Sequence, residues 1–208
     1  MYMLRMEKIS RPSIDEVKPS FNNLPETDHK DGKYRLRRYS VIEFLAEPTK
    51  FKVLPISSFT QSANYNNFQG DIERKFENIE EDVLKSVGME EIVYLFRYIN
   101  RLAPGIRVDI HQMRVITLHD DTPVSPEGAH QDGYDCIGMV GIDRHNIEGG
   151  ELLVSYGKDD KPFMELPLDD GVAAFLDDKT LWHNASALKA TNKNEEGYMD
   201  AFILTANK

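Results

Sequence analysis

Cysteine is nearly missing from this chain of 208 residues. Cys136 is the only one, so no internal disulfide and no cysteine-based zinc site can form. Basic residues are in deficit, 25 Lys and Arg against 35 Asp and Glu, which leaves a net charge of −10. That excludes a general phosphate-backbone binder, because such proteins need a basic stripe to displace counterions. No apolar run approaches the ~20 residues of a membrane span. The longest strongly apolar stretches, such as Val172-Ala173-Ala174-Phe175-Leu176, are strand-sized. Met1-Tyr2-Met3-Leu4-Arg5-Met6 meets charge at once and lacks the apolar core of an export signal. These absences lead to the expectation of a cytoplasmic protein that engages neither nucleic acid nor membrane. Six histidines remain as the only soft metal ligands.

The length suits one domain over 1–208, able to bury roughly 70% of its unfolded surface. Residues 1–33 are polar and hold Pro12, Pro19 and Pro25, which reads as an extended segment. Residues 34–104 read as a mixed strand and helical layer. A strand is expected over 33–42 and a polar, Asn-rich loop follows at Gln61–Asn67. A helical stretch spans 79–103, with Gly88 as a C-cap inside it and Pro104-Gly105 at its end.

Beyond Gly105 the texture changes to short runs rich in Val, Ile, Leu, Tyr and Phe. Strands are expected near 107–116, 134–142, 151–156, 162–166, 171–176, 181–185 and 197–206. Gly149-Gly150 and Asp169-Asp170-Gly171 mark turns between them. So many short strands in 105–208 indicate a sandwich, jelly roll or barrel. The fold expected is mainly β, with a helical N-terminal layer packed on a jelly-roll core.

The sharpest motif is Pro126-Glu127-Gly128-Ala129-His130-Gln131-Asp132-Gly133. On extended backbone, His130 and Asp132 point to the same side. His183 lies 53 residues after His130 and supplies a third ligand. Two histidines and one carboxylate on one face leave three metal positions open, the pattern of non-haem Fe(II) oxygenases. Zinc accepts the same ligands, and a hydrolytic zinc site would want a general base, for which Glu127 is the candidate.

Several ordered blocks then carry a resemblance. These are Tyr34–Ser40, Gln61–Asn66, Val108–Val115, Pro126–Gly133 and Asp143–Glu151. Together they resemble the 2-oxoglutarate/Fe(II) dioxygenase family that includes bacterial L-isoleucine hydroxylase, from about Tyr34 to the C-terminus. The resemblance implies a double-stranded β-helix, with metal ligands His130, Asp132 and His183. It implies Fe(II), 2-oxoglutarate and O2 as cofactors and a small-molecule substrate, a free amino acid hydroxylated at an aliphatic carbon. The alternatives are a related mononuclear iron oxidase that does not use 2-oxoglutarate, and a non-catalytic cupin-like binding protein.

One position departs from that family. The last strand usually carries an arginine that forks onto the far carboxylate of 2-oxoglutarate. Here Met199 stands in its place, in Gly197-Tyr198-Met199-Asp200. Arg114 is the leading substitute, with Lys189 and Lys193 from the loop before the last strand as others. Arg114 shares a strand face with Gln112, and His111 shares the other with Met113, so alternation does not say which face is inward. Arg35 and Arg38, with Arg37 between them in one strand, are candidates to grip a substrate carboxylate. His111 and Tyr134 are further candidates for the pocket. His29 and His119 fall in polar loops.

Overall fold

Long buried runs replace clean alternation along the main strands because their sheet is covered on both faces. The computed structural model describes residues 3–65, 68–117 and 121–208. Asn66, Asn67 and His119 therefore lie outside the described residues. In chain order the strands are β1 (Leu4–Lys8), β2 (Arg35–Phe44), β3 (Phe51–Leu54), β4 (Ser58–Phe59), β5 (Arg74–Lys75), β6 (Arg107–Thr117) and β7 (Cys136–His145). They continue as β8 (Ile147–Glu148), β9 (Glu151–Ser155), β10 (Met164–Pro167), β11 (Val172–Leu176), β12 (Trp182–Ala185), β13 (Lys189–Ala190) and β14 (Gly197–Ala206). The helices are α1 (Arg11–Val17), α2 (Glu81–Leu84) and α3 (Val87–Asn100), and Lys18–Asn23 forms a 3-10 turn.

Seven strands form the larger sheet in the order β1-β11-β7-β14-β6-β2-β3, and β10-β9-β12 form a smaller one. The two sheets face each other, with Ile137 and Met139 of β7 packed in one cluster with Leu152 and Val154 of β9. The fold is mainly β, a double-stranded β-helix with its helical layer behind the larger sheet.

Register decides which side chains face inward. Met199, Ala201 and Ile203 of β14 lie opposite Val115, Met113 and His111 of β6. Those three in turn lie opposite Arg35, Arg37 and Tyr39 of β2. Side chains directly opposed across strands point to the same face. Each set is thus a rung across the sheet, facing the smaller sheet. The intervening residues turn to the helices: Phe202 meets Phe21 edge-on at 5.0 Å, and Phe175 of β11 meets Phe96 at 6.3 Å. Each such ring, fully buried, contributes about 1.5–3 kcal/mol.

Three expectations need correction. Residues 3–33 are not one extended segment: β1 is extended, paired with β11, and residues 11–23 are helical, with Ile9, Ile14, Val17 and Phe21 buried in the helix-side core. Pro12 and Pro19 fall at helix starts, where a missing N–H costs nothing. The helical stretch is two helices, and Gly88 does not cap the first. It lies in the first turn of α3, where a Cβ would sit 2.4 Å from the Ser13 carbonyl oxygen, so it lets α1 and α3 approach. Ser86 caps α3 instead, accepting from the Met89 N–H.

Candidate metal centre

Backbone pairing assembles the site. His130 and His183 form an antiparallel bridge, each N–H donating to the other's carbonyl, at 2.9 and 3.0 Å. Their ring centroids lie 4.3 Å apart. One donor atom from each of His130, Asp132 and His183 lies within 4.8 Å of the others. Nε2 of His130 is 3.6 Å from Asp132 Oδ1, and Nε2 of His183 is 3.5 Å from Oδ2. Both Nδ1 atoms face other acceptors, the Gly128 carbonyl at 2.8 Å and Asp178 Oδ1 at 3.6 Å. Those acceptors favour a proton on Nδ1 and leave the two Nε2 atoms, which face the Asp132 carboxylate, as the positions a metal would take. Two imidazoles and a carboxylate converging from one side fit Fe(II).

Charge is concentrated there. Burial pulls the His130 imidazole down, but Asp132, Glu127 and the Gly128 carbonyl outweigh it and hold it at about 9. Burial would raise Asp132, yet His130 and His183 keep it well below the usual carboxylate range. Gln61 donates to Asp132 Oδ1 at 2.9 Å and steadies the carboxylate. Asp178, which has no exposed side-chain surface, accepts the N–H groups of Asp132, Gly133 and Tyr134. It pins the loop that carries Asp132 and orients His183 at the same time. Gly133 turns that loop at φ +86°, and a Cβ there would strike the Tyr65 ring at 2.6 Å.

The cavity in front of the triad receives only some of the expected residues. Arg35, His111, Tyr134 and Met199 line it. Arg35 is already ion-paired with buried Asp31 at 2.6 Å. His111 lies 4.8 Å from both the Tyr39 and Phe59 rings, and burial, then Arg37 and Arg74, hold it well below its ordinary value. Tyr134 donates to Asp109 Oδ2 at 2.5 Å.

Arg114 and Arg38 do not line the cavity. Both occupy positions one residue off the inward rungs, so they face the other side of the sheet. Arg114 forks onto Asp200 with two bonds of 2.7 Å and stacks on Tyr198. Arg38 reaches Glu77 at 2.7 Å and the carbonyls of Asn78 and Asn23. Lys189 pairs with Asp121, and Lys193 is exposed.

Of the three arginines clustered on β2, Arg37 joins Arg35 at the cavity, since period two puts the two on one face and Arg38 on the other. Arg74 and Asp178 come from short or irregular segments and carry no motif, and Gln61 stands in the Gln61–Asn66 block, which shows no role for it. Glu127, the candidate base of the zinc alternative, is largely buried beside His130, with Oε1 3.3 Å from Nε2 and Oε2 without a hydrogen-bond partner.

The comparisons with known proteins agree with this geometry. Among solved structures, the fold matches a bsmA homolog from Methylobium petroleophilum PM1, with TM-score 0.80 and 24% identity over 95% of this chain and 81% of that one. It matches IDO from Bacillus thuringiensis, with TM-score 0.80 and 15% identity over 99% and 93%. It also matches the Fe(II)/(alpha)ketoglutarate-dependent dioxygenase TqaL, with TM-score 0.68 and 14% identity over 99% and 82%. At these identities the likeness is one of fold. No curated protein matches the sequence. The family model described as 2OG-Fe dioxygenase matches residues 18–205, nearly the whole chain. The chain thus belongs to the 2OG-Fe dioxygenase family and is an Fe(II)- and 2-oxoglutarate-dependent dioxygenase that consumes O2.

Proposed function

We propose that this dioxygenase hydroxylates an aliphatic carbon of a free α-amino acid, with iron held by His130, Asp132 and His183. In this reading residues 1–208 act as one dioxygenase domain in the cytoplasm, a setting compatible with the single buried, unpaired Cys136.

The observation that carries the substrate class is a pair of opposite charges on the cavity wall, each with side-chain atoms left without a hydrogen-bond partner. Arg74 is buried, 4.9 Å over the Phe59 ring, and its Nε and Nη2 have no hydrogen-bond partner. Glu127 Oε2 likewise has none. Leaving such groups buried and unmet costs about 1–3 kcal/mol each. An α-carboxylate answers the first and an α-ammonium the second. A metal on His130 Nε2 takes that nitrogen away from Glu127 Oε1, which leaves both carboxylate oxygens open to the ammonium. Between the charges the wall is apolar, with Ile137, Met139, Leu152 and Leu168, which suits an aliphatic side chain. The resemblance to the branch with L-isoleucine hydroxylase supports the same class.

Bound iron supplies O2 activation coupled to the oxidative decarboxylation of 2-oxoglutarate to succinate. The chain's own residues do the positioning. The Gly128 carbonyl and Asp178 keep the two Nε2 atoms free to ligate, and Gln61 holds the Asp132 carboxylate. Arg74 and Glu127 fix the two ends of the substrate, so that one C–H bond is presented to the metal.

The test is a panel of L-amino acids incubated with Fe(II), 2-oxoglutarate and O2, with succinate and product mass as readouts. The expected result is succinate coupled to a product one oxygen heavier, for an aliphatic amino acid and not for its amide or N-acetyl form. Under anaerobic conditions Fe(II) and 2-oxoglutarate should give a visible charge-transfer band that His130→Ala and His183→Ala abolish. A charge-transfer band without turnover of any amino acid overturns the substrate class alone.

A further inference from the structure

We propose that Arg37, on β2, holds the far carboxylate of 2-oxoglutarate in place of the last-strand arginine that Met199 replaces. This rests on the dioxygenase reading of the same cavity.

The rungs make the relocation possible. Met199, Val115 and Arg35 share one rung, and Ala201, Met113 and Arg37 share the next. A cation carried on β2 therefore reaches into the cavity from two strands away, on the same face as the vacated position. The sulfur of Met113 marks where it arrives. Arg37 Nη2 lies 3.1 Å from Met113 Sδ, and Met113 and Met199 belong to one apolar cluster with Val115 and Leu188.

Elimination among the nearby cations points the same way. Arg35 is neutralised by Asp31. Arg144 touches Met199 Sδ at 3.6 Å, but its donors are occupied by the Gly149 carbonyl and Asp169, and it does not line the cavity. Arg114 is locked to Asp200. Arg74 lies over the Phe59 ring at 4.9 Å and is taken by the substrate carboxylate in the reading above. Arg37 is buried and lines the cavity, and its guanidinium has no carboxylate partner among the described residues. Burial, with Arg35 and Arg74 beside it, pulls it down to about 9. Such a charge is retained at a cost unless an anion arrives to meet it.

The formal charges balance on the same assignment. With Arg35 and Asp31 cancelling, the wall offers Arg37 and Arg74 against Glu127 and Asp132. A dication on the triad leaves two positive charges, which one dicarboxylate neutralises. A zwitterionic substrate adds none.

The experiment compares 2-oxoglutarate with 2-oxobutyrate, which keeps the 2-oxo acid head and lacks the far carboxylate. Binding of each to the Mn(II)-loaded protein is measured by anaerobic calorimetry, with no turnover involved. Wild type should prefer 2-oxoglutarate. Arg37→Met should weaken 2-oxoglutarate by about thirtyfold or more and leave 2-oxobutyrate and Mn(II) affinity unchanged. Arg37→Lys should fall between, and adding Met199→Arg to Arg37→Met should restore the preference. Because the substitution removes an unpaired buried charge, Arg37→Met should melt no lower than wild type, which separates anchoring from structural support. Undiminished preference in Arg37→Met overturns the anchor, the more so if Arg144→Met loses it. Wild type that takes Mn(II) but neither oxo acid overturns instead the 2-oxoglutarate reading on which the anchor rests.

Discussion

Asp178→Asn is the most informative single change outside the metal triad, because one side chain serves both the loop and a ligand. Its Oδ2 takes the N–H groups of Asp132 and Gly133 at 2.9 Å and of Tyr134 at 3.1 Å. Replacing a charged acceptor by a neutral one weakens each bond by about 1 kcal/mol, or about 3 kcal/mol for the three. The amide NH2 then takes the place of Oδ1, 3.6 Å from His183 Nδ1. Two donors face each other there, unless His183 moves its proton to Nε2, the nitrogen needed for the metal. The opposite amide rotamer sets NH2 against three backbone donors, which costs more. Metal affinity should therefore drop about 10- to 100-fold, the usual effect of removing a ligand's outer partner. Urea denaturation of the chelator-treated protein measures the first quantity and Co(II) calorimetry the second. Affinity within about twofold of wild type would refute this account of how His183 is oriented.

Other consequences follow from the same contacts. In metal-free protein the His130 pKa of about 9 lies above its unfolded value of about 6.5. Its stabilising contribution is thus full below pH 6.5 and is lost as pH rises to about 9, by up to about 3 kcal/mol. Chelator-treated protein should weaken over that window in denaturant, and a flat profile would reject the shift. Over the same window Co(II) affinity should rise about tenfold per pH unit, since the metal displaces that proton, and His130→Gln should remove the slope. Arg114→Met strands the Asp200 carboxylate, whose side chain has no exposed surface, and should cost about 3–5 kcal/mol in a denaturant series. The same variant should leave 2-oxoglutarate affinity unchanged, because Arg114 faces away from the cavity; a large loss would contradict that orientation. Gly149→Ala places a Cβ 1.9 Å from the Ala187 carbonyl oxygen at a φ of +81°, and should cost about 2 kcal/mol by thermal melting.

The strands of the C-terminal half were legible because turn residues punctuate short apolar runs, and β9, β11, β12 and β14 sit where that punctuation puts them. His130 and Asp132 were legible because a two-residue spacing on extended chain needs no tertiary knowledge, whereas His183, 53 residues on, came with the family resemblance. Arg114 was not. Both faces of β6 are buried, one against helices and one against the cavity, so hydropathy carries no sign of direction. The N-terminal segment was misread because its prolines suggest extended chain, whereas Pro12 and Pro19 start helical turns and Ile14, Val17 and Phe21 make one apolar stripe. Asp178 and Arg74 act through contacts distant in sequence, and no local pattern announces them.

Burial of the larger sheet on both sides splits each of its long strands between two kinds of selection. Along β14, Phe202, Leu204 and Ala206 look into the helix-side core, whereas Met199, Ala201, Ile203 and Thr205 look into the reaction chamber. A mutational scan of this strand should oscillate with a period of two. Substitutions at the first set should lower the yield of folded protein, and those at the second should change what a folded protein accepts. Variation in substrate range can then accumulate on alternate residues of one strand while the intervening ones stay constant. The strand is at once a structural rib and an adjustable wall.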